Sequence, residues 1–513
     1  MTIAPTRCVL VFFSVFVARV GAQTTAPSDS RYFAIQVVDD QTGRGVPLVE
    51  LKSVSNVRYW TDSAGFVAID DPAFMNQTIF FSVYSHGYEF AADGFGIRGK
   101  RFDVKSGGSA QIKIHRKNIA ERLYRLTGEG IYRDSVLLGR AVPIAHPLLN
   151  AQVTGQDSIQ PVAYHDKLYW FWGDTGRQSY PLGHFGMSGA TSQLPGKGGL
   201  DPSVGIDYQY FTSPDGFARP MVIDPPNNLR WADALAVVKD EKGQDRMVGR
   251  CQVLKSLDQP IANRLVIYND QTNVLVKLKD IPIHAPLQPI GHPIPVEENG
   301  IAWFYFGEPF PNQRTHADLK SFADLSSYEG FTCLTPGARY DRDNPSLDRD
   351  AQGKLIWAWK KDTQPLDRRE MDALVRAGKI KAEEVWFSPR DVETKKAINL
   401  NLASVSFNAY RKKWIAIASE IGGATSMLGE IWYSEADQPQ GPWPWARKII
   451  THDRYSFYNP CHHPFFDQEG GRLIYLEGTY ATTFSRNDDP TPRYDYNQIM
   501  YRVDLGDARL QLP

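Results

Sequence analysis

Cysteine is scarce in this chain, net charge is close to zero, and no long apolar run follows the first twenty residues. Four cysteines serve 513 residues. One of them, Cys8, lies in a leader-like segment, which leaves Cys251, Cys333 and Cys461. Their wide spacing excludes a compact zinc motif, and their odd number allows at most one disulfide, so a disulfide-stapled scaffold is excluded. The formal net charge is −1, which is neither the balance of a nucleic-acid binder nor that of an acidic tail, and no nucleic-acid partner is expected. Downstream of the leader no stretch reaches the length of a membrane span. The chain also lacks a G-x-S-x-G elbow, an H-E-x-x-H helix and a P-loop.

Among what is present, residues 1–22 read as a secretory signal. Arg7 ends a short basic start, VLVFFSVFVA (9–18) is a ten-residue apolar core, and Val20-Gly21-Ala22 offers a small-residue cleavage site. Ten apolar residues are too few to span a bilayer. Removal of this segment takes Arg7 and Arg19 with it and brings the net charge to −3. A secreted or periplasmic location is expected. The whole chain is 42% hydrophobic and 22% charged, as in a globular protein.

Residues 30–118 form a first unit. RYFAIQVVDDQTGRGVPLVELKSV alternates apolar and polar residues around a Thr-Gly-Arg-Gly turn, and YWTDSAGFVAIDD, IFFSVYSHGYEF and AQIKIHRK continue the pattern. About seven short strands separated by Gly/Asp turns predict a small transthyretin- or Ig-like β-sandwich. GFGIRG (94–99) fits G-x-G-x-x-G, but no helix or βαβ unit surrounds it, so it reads as a β-loop. Residues 119–150 read as a connector.

From 151 to 513 the chain repeats itself. PVAYHDKLYWFWGDT (161–175), AVVKDEKGQDRMVGR (236–250), PVEENGIAWFYFGEP (295–309), SFNAYRKKWIAIASE (406–420) and PFFDQEGGRLIYLEG (464–478) can be superposed. Each reads as a hairpin of two largely buried strands, followed by further strand-like runs such as NRLVIYND, GEIWYSEAD and YNQIMYRVD. Four-stranded units repeated in this way predict a β-propeller of five blades, with six as the alternative count. PSLDRDAQGKLIWAWKKD (345–362) fits the outer half of the third blade, where it gives YEGFTCL a partner. REMDALVRAGKIKAEEV (369–385) has helical spacing. The fold class expected is therefore all-β.

The repeat places Asp174, Glu308 and Glu420 at the end of the second strand, and Glu477 within one or two positions of it, while the second blade offers Arg250. One such acid is explained by a turn; four suggest a ring of carboxylates around one face. The inner strands QDSIQP, RWADAL, IGHPIP, NLNLAS and YNPCHHP add Asp157, Asp233, His292, Asn401, Asn459, His462 and His463. His462 and His463 are adjacent, so a strand can turn only one of them inward; as metal ligands they are weaker than as hydrogen-bonding residues. Trp231 is among several aromatics placed to stack on a sugar ring, and Arg493 in RNDDPTPRYDYNQ could fix a substrate group or pair with Asp495. DRDAQG (348–353) imitates a calcium loop but has Trp359 at its twelfth position.

GQDSIQPVAYHDKLYWFWGDT resembles the first blade of the five-bladed propeller glycosidases, and is most similar to the propeller family that includes endo-D-arabinanases. EADQPQGPW (435–443) resembles the outer-strand signature of the wider invertase and arabinanase superfamily, and the N-terminal unit resembles the carboxypeptidase regulatory-like domains of secreted proteins. The resemblance implies a glycoside hydrolase acting on a polysaccharide or oligosaccharide, with Asp157 and Asp174 as its acids. It implies for the N-terminal unit a spacer or binding module. The expected assignment has Asp157, Asp174 and Glu477 as catalytic residues. Glu308, Glu420, Asn459, His462, His463, Arg493 and Trp231 are expected to bind substrate. No cofactor is required, a structural Ca²⁺ stays open, and a monomer is expected. A non-catalytic carbohydrate-binding or cell-surface propeller is the rival reading, and a lyase using Tyr458 with His462 is a third.

Overall fold

The computed structural model describes residues 30–513; the expected signal segment lies outside the described residues. Strands dominate, with three short α-helices among the described residues. No helix in this range is long and apolar enough to cross a membrane.

Two four-stranded sheets make up the N-terminal unit. One runs in the order Phe66–Ile69, Phe33–Asp39, Ser109–Arg116, Tyr88–Glu89, and the other Arg58–Trp60, Glu50–Ser53, Gln77–Tyr84, Gly99–Val104. Alternation decides which side chains face inward: Ile112 and Ile114 are buried while Gln111, Lys113 and His115 are exposed. The inward rows of both sheets, including Ile35, Val37, Leu51 and Phe81, form one apolar core. Eight strands are present where the sequence pattern predicted about seven, and GFGIRG lies in an open loop whose Gly94 and Gly96 meet no neighbouring atoms.

A small three-stranded sheet joins Val153–Gln156, Thr175–Arg177 and Tyr180–His184. Five larger sheets follow the sandwich in chain order, antiparallel except for the short Arg390–Asp391 strand that runs parallel to Trp445–Ile450 in the fourth. The first holds Gln160–Tyr164, Lys167–Trp172, Ser188–Gln193 and Gln209–Tyr210; the second runs from Leu229–Lys239 to Val274–Ile281. The third spans Ile294–Glu298 to Ala358–Lys361, the fourth is built from Leu400–Asn408 outward, and the fifth starts at Ser456–His462. In the third, Glu329–Thr332 pairs with Ala358–Lys361, as the sequence pattern required. Each sheet shares an apolar cluster with the next, and the fifth shares one with the first, where Tyr475 and Met500 meet Trp170 and Trp172.

Three expectations need correction. PFFDQ is not a strand: Pro464 has no N–H to give to a ladder, and Pro464–Phe466 and Glu469–Gly471 form 3₁₀ turns. The partner of Leu473–Ala481 is instead Ser456–His462. The stretch read as a connector supplies Glu121–Arg125, all five residues buried, as the outermost strand of the fifth sheet against Asn497–Asp504. The helix expected over 369–385 runs only from Arg368 to Arg376. Asp367 and Glu370 form its capping box, and Gly378 at φ +67° ends it.

Candidate functional site

A cavity of about 1090 Å³ opens beside the first strands of the sheets; strand residues of the first, second, fourth and fifth sheets and the turns flanking the third form its wall. The acids that reach it are Asp157, Asp174, Asp233 and Glu308.

Asp157 follows Val153–Gln156, a strand of a separate three-stranded sheet, and precedes the first strand of the first large sheet. The backbone on both sides of it is pinned. Gln498 Nε2 donates to the Gln156 carbonyl (3.2 Å) and to Thr479 Oγ1 (2.8 Å), and Thr479 Oγ1 accepts the Ser158 N–H (3.2 Å). Gln156 is itself fixed by Ser188 Oγ and by the Tyr210 hydroxyl at 2.8 Å. The Asp157 carboxylate touches the start of the next segment: Oδ1 accepts the Asp174 N–H at 3.0 Å, and Oδ2 accepts the Tyr458 hydroxyl at 3.1 Å. Gly173 is required here, because a Cβ at that position would stand 2.3 Å from Asp157 Oδ1.

Asp174 leaves the strand after Gly173, and its Oδ1 accepts the Trp231 indole N–H at 2.8 Å. Tyr496 lies against the Asp157 carboxylate, its hydroxyl 3.4 Å from the Asp174 carbonyl. Burial in the cavity wall pushes the Asp157 pKa up to about 7, and the neighbouring Asp174 charge adds to this. Donation from Tyr458, Tyr496 and the Asp174 N–H opposes the rise. Burial also raises Asp174, against the Trp231 hydrogen bond. Two acids this close titrate as a pair.

Asp233 is held differently. Arg250 grips it with two hydrogen bonds, Nε at 2.8 Å and Nη2 at 2.6 Å, and the Gly291 N–H adds a third at 3.2 Å. Glu308 stands beside this pair with its side chain open to the cavity. Its protein surroundings raise its pKa, with the Asp233 charge adding and the Arg250 charge opposing. Asn459 also lines the cavity and donates to Ser158 Oγ at 2.5 Å. His292 lies deeper, held neutral by burial, with its pKa down at about 4.

The remaining expected site residues do not reach this cavity. Glu420 ends its strand in the row of Ala416 and Ala418, which faces the third sheet, and accepts the Trp432 indole N–H at 2.8 Å. Glu477 stays inside its strand on the row of Tyr475, in the core between the fifth and first sheets. It is fully buried against His463 Nε2 at 2.8 Å, so the catalytic role expected for it is not supported. His463 turns away from the cavity toward Trp170, and His462 turns toward the fourth sheet, held by Ser406 (2.9 Å) and Asp467 (2.8 Å). Arg493 pairs with Glu129 at 2.9 Å, not with Asp495. The Tyr458–His462 arrangement of a lyase is not assembled. Sequence reasoning missed Tyr496, which sat unremarked in a polar loop, and Arg486, an exposed cation on the cavity wall. Among the described residues no group of three or more His, Cys, Asp or Glu gathers to hold a metal ion. Cys251, Cys333 and Cys461 are all free and buried.

No family model matches this chain, and no curated protein matches it. Among solved structures, it is similar to an exo-1,5-α-L-arabinanase from a bovine ruminal metagenomic library, at 9% identity over 68% of this chain and 93% of that one, with a TM-score of 0.34. An α-L-arabinanase of Cellvibrio cellulosa shares 10% identity over 64% and 89% of the two chains, with a TM-score of 0.34. A mutant α-L-arabinofuranosidase of Fusarium graminearum shares 10% identity over 75% and 98%, with a TM-score of 0.32. The solved structures similar to this chain thus include glycoside hydrolases; at this level of overlap the likeness says nothing about what this chain acts on.

Proposed function

We propose that the five sheets are the blades of a β-propeller, preceded by an Ig-like sandwich, and that the protein is an exported glycoside hydrolase acting on a polysaccharide or oligosaccharide. The observation that carries this reading is that the Asp157 and Asp174 carboxyls line one cavity, with the Asp157 carboxylate accepting the Asp174 backbone N–H. Glycoside cleavage needs one carboxylic acid to protonate the leaving oxygen and one carboxylate to attack or to activate water. Asp157, raised to about 7 mainly by burial, is suited to hold the proton near neutrality, and Asp174 to act as the carboxylate. Neither acid is neutralised by an Arg or Lys partner among the described residues, in contrast to Asp233. Glu308, a third acid in the same cavity, stands beside Asp233 and Arg250. Trp231 and Tyr458 hold the pair by hydrogen bonds, and the half-buried Trp231 presents aromatic surface to a sugar ring.

A non-catalytic sugar-binding propeller is the competing reading, and the Asp233–Arg250 pair favours it, since a carboxylate locked by a guanidinium binds hydroxyls without exchanging protons. Incubation of the purified protein with plant, algal and bacterial-wall glycans, with detection of new reducing ends, separates the two. Turnover abolished in Asp157→Asn and in Asp174→Asn is the expected result. Glycan binding without cleavage by the unaltered protein would sink the hydrolase reading.

A further inference from the structure

A second cavity, of about 370 Å³, lies between the N-terminal sandwich and the fifth sheet. That size is within the ~300–1,000 Å³ range of small-molecule sites. Its floor is aromatic and already satisfied: Tyr455 stacks on Tyr480 with ring centroids 3.9 Å apart, and the Tyr480 hydroxyl meets His86 Nε2 at 3.0 Å. Its walls are not satisfied. Among the described residues, Arg454 makes no ion pair and no side-chain hydrogen bond, and Asn487 leaves its amide nitrogen without an acceptor. Asp453 has only a long 3.5 Å contact from the Tyr84 hydroxyl. Tyr84 itself is 47% exposed, a large aromatic surface left open to the cleft. Arg58 covers Trp60 and spans the cleft to Asp489 at 2.7 Å, so the aromatic face on offer is that of Tyr84.

The charge balance narrows the ligand. Three carboxylates (Glu50, Asp453, Asp489) face two guanidiniums (Arg58, Arg454), and Arg58 is already paired with Glu50 and Asp489. Arg454 and Asp453, both without an ion pair among the described residues, place a cation and an anion side by side, so the cleft favours neither a strongly charged anion nor a bare cation. A ligand whose groups both donate and accept would engage Arg454, Asn487 and Asp453 together, while an apolar ring face would cover Tyr84. We propose that this interdomain cleft is a second saccharide-binding site, separate from the central cavity, that takes a neutral sugar unit of a glycan chain. Bound there, the sugar contacts both the sandwich and the fifth sheet, and ties the two units together. The inference stands on the cleft and does not require that the central cavity cleave.

The test uses the full chain carrying Asp157→Asn, titrated calorimetrically with neutral hexasaccharides of arabinan, xylan and cellulose. At least one should bind at two sites per chain. Adding Tyr84→Ala or Arg454→Ala should remove one of the two, a loss of tenfold or more in affinity. Tyr84→Phe, which keeps the ring, should retain it, and unchanged thermal unfolding of the Ala variants separates loss of the site from loss of the fold. One site per chain unaffected by Tyr84→Ala, or no binding by any of the three probes, overturns the proposal. Two-site binding by a protein that cleaves no glycan would leave the cleft standing while the hydrolase reading falls; cleavage with a single site unaffected by Tyr84→Ala would do the reverse.

Discussion

In the first and third sheets the second strand ends in Gly-acid, Gly173-Asp174 and Gly307-Glu308, and both acids line the central cavity. In the fourth and fifth sheets the aligned acids, Glu420 and Glu477, follow Ser419 and Leu476, and neither does. The difference lies in the backbone. Gly307 sits at φ +154°, and a Cβ there would meet the Phe310 carbonyl oxygen at 2.2 Å; a Cβ on Gly173 would meet Asp157. Glycine lets the chain leave the strand at that point, so the next side chain is released from the strict alternation that sends every second residue into the core between sheets. Without it, Glu420 and Glu477 keep their place in the inward rows. The same residue type at the same point of the repeat is a cavity acid in one case and, in the other, a fully buried (Glu477) or half-buried (Glu420) residue between sheets.

The contrast is tested hardest at its ends. Asp157→Asn and Asp174→Asn should each lower glycan turnover by about 10²–10⁴-fold, the usual worth of a positioned acid or base, with thermal unfolding little changed. Glu477→Leu should do the opposite. It leaves His463 buried without its partner and should cost about 1–3 kcal/mol in chemical denaturation, with turnover preserved in the folded fraction. If Glu477→Leu instead abolished turnover without loss of stability, the assignment of Glu477 to the core would be wrong.

Proton linkage sharpens the same comparison. Burial raises the Glu477 pKa and lowers that of His463, so the pair is neutral near pH 7. Above pH 6.5, the ordinary value of histidine, an unfolded His463 is mostly neutral, and up to the Glu477 pKa of about 8 it is Glu477 that chiefly differs between the two states. There the folded protein holds a proton that the unfolded chain has lost, so this group makes stability fall as pH rises. Glu477→Gln should remove that part of the slope; denaturant midpoints with the same pH dependence in both proteins would contradict it. A smaller effect is expected from Trp231→Phe. Loss of the indole N–H raises the Asp174 pKa further and moves the limb of the pH–rate profile governed by Asp174 to higher pH, at a cost of about tenfold in turnover. The smallest belongs to Glu420→Gln, which should change stability by less than about 0.5 kcal/mol and leave turnover intact.

Much of this was legible beforehand. Alternation and turn residues give the hairpins, and the repeat of their pattern gives the five sheets, because local periodicity is written in local residues. Asp157, Trp231 and Asn459 on the inner strands, and Asp174 and Glu308 at the ends of the second strands, were legible as residues of one cavity because both positions follow from the repeat. Where the sequence misled, the cause was non-local. PFFDQ has strand-like composition, but Pro464 has no ladder hydrogen to give, and the strand slot was taken by Ser456–His462. Glu121–Arg125 looked like a connector because its partner, Asn497–Asp504, lies more than 370 residues away. His462 and His463 were read as one inward and one outward; only the packing of two neighbouring sheets shows that both turn into cores, toward Ser406 and Trp170. The sequence by itself determined which segments become strands and which acids stand at their ends. Which of those acids share a cavity was decided by tertiary structure, since it depends on backbone breaks at Gly173 and Gly307 and on contacts such as Asp157 with Tyr458 that join opposite ends of the domain.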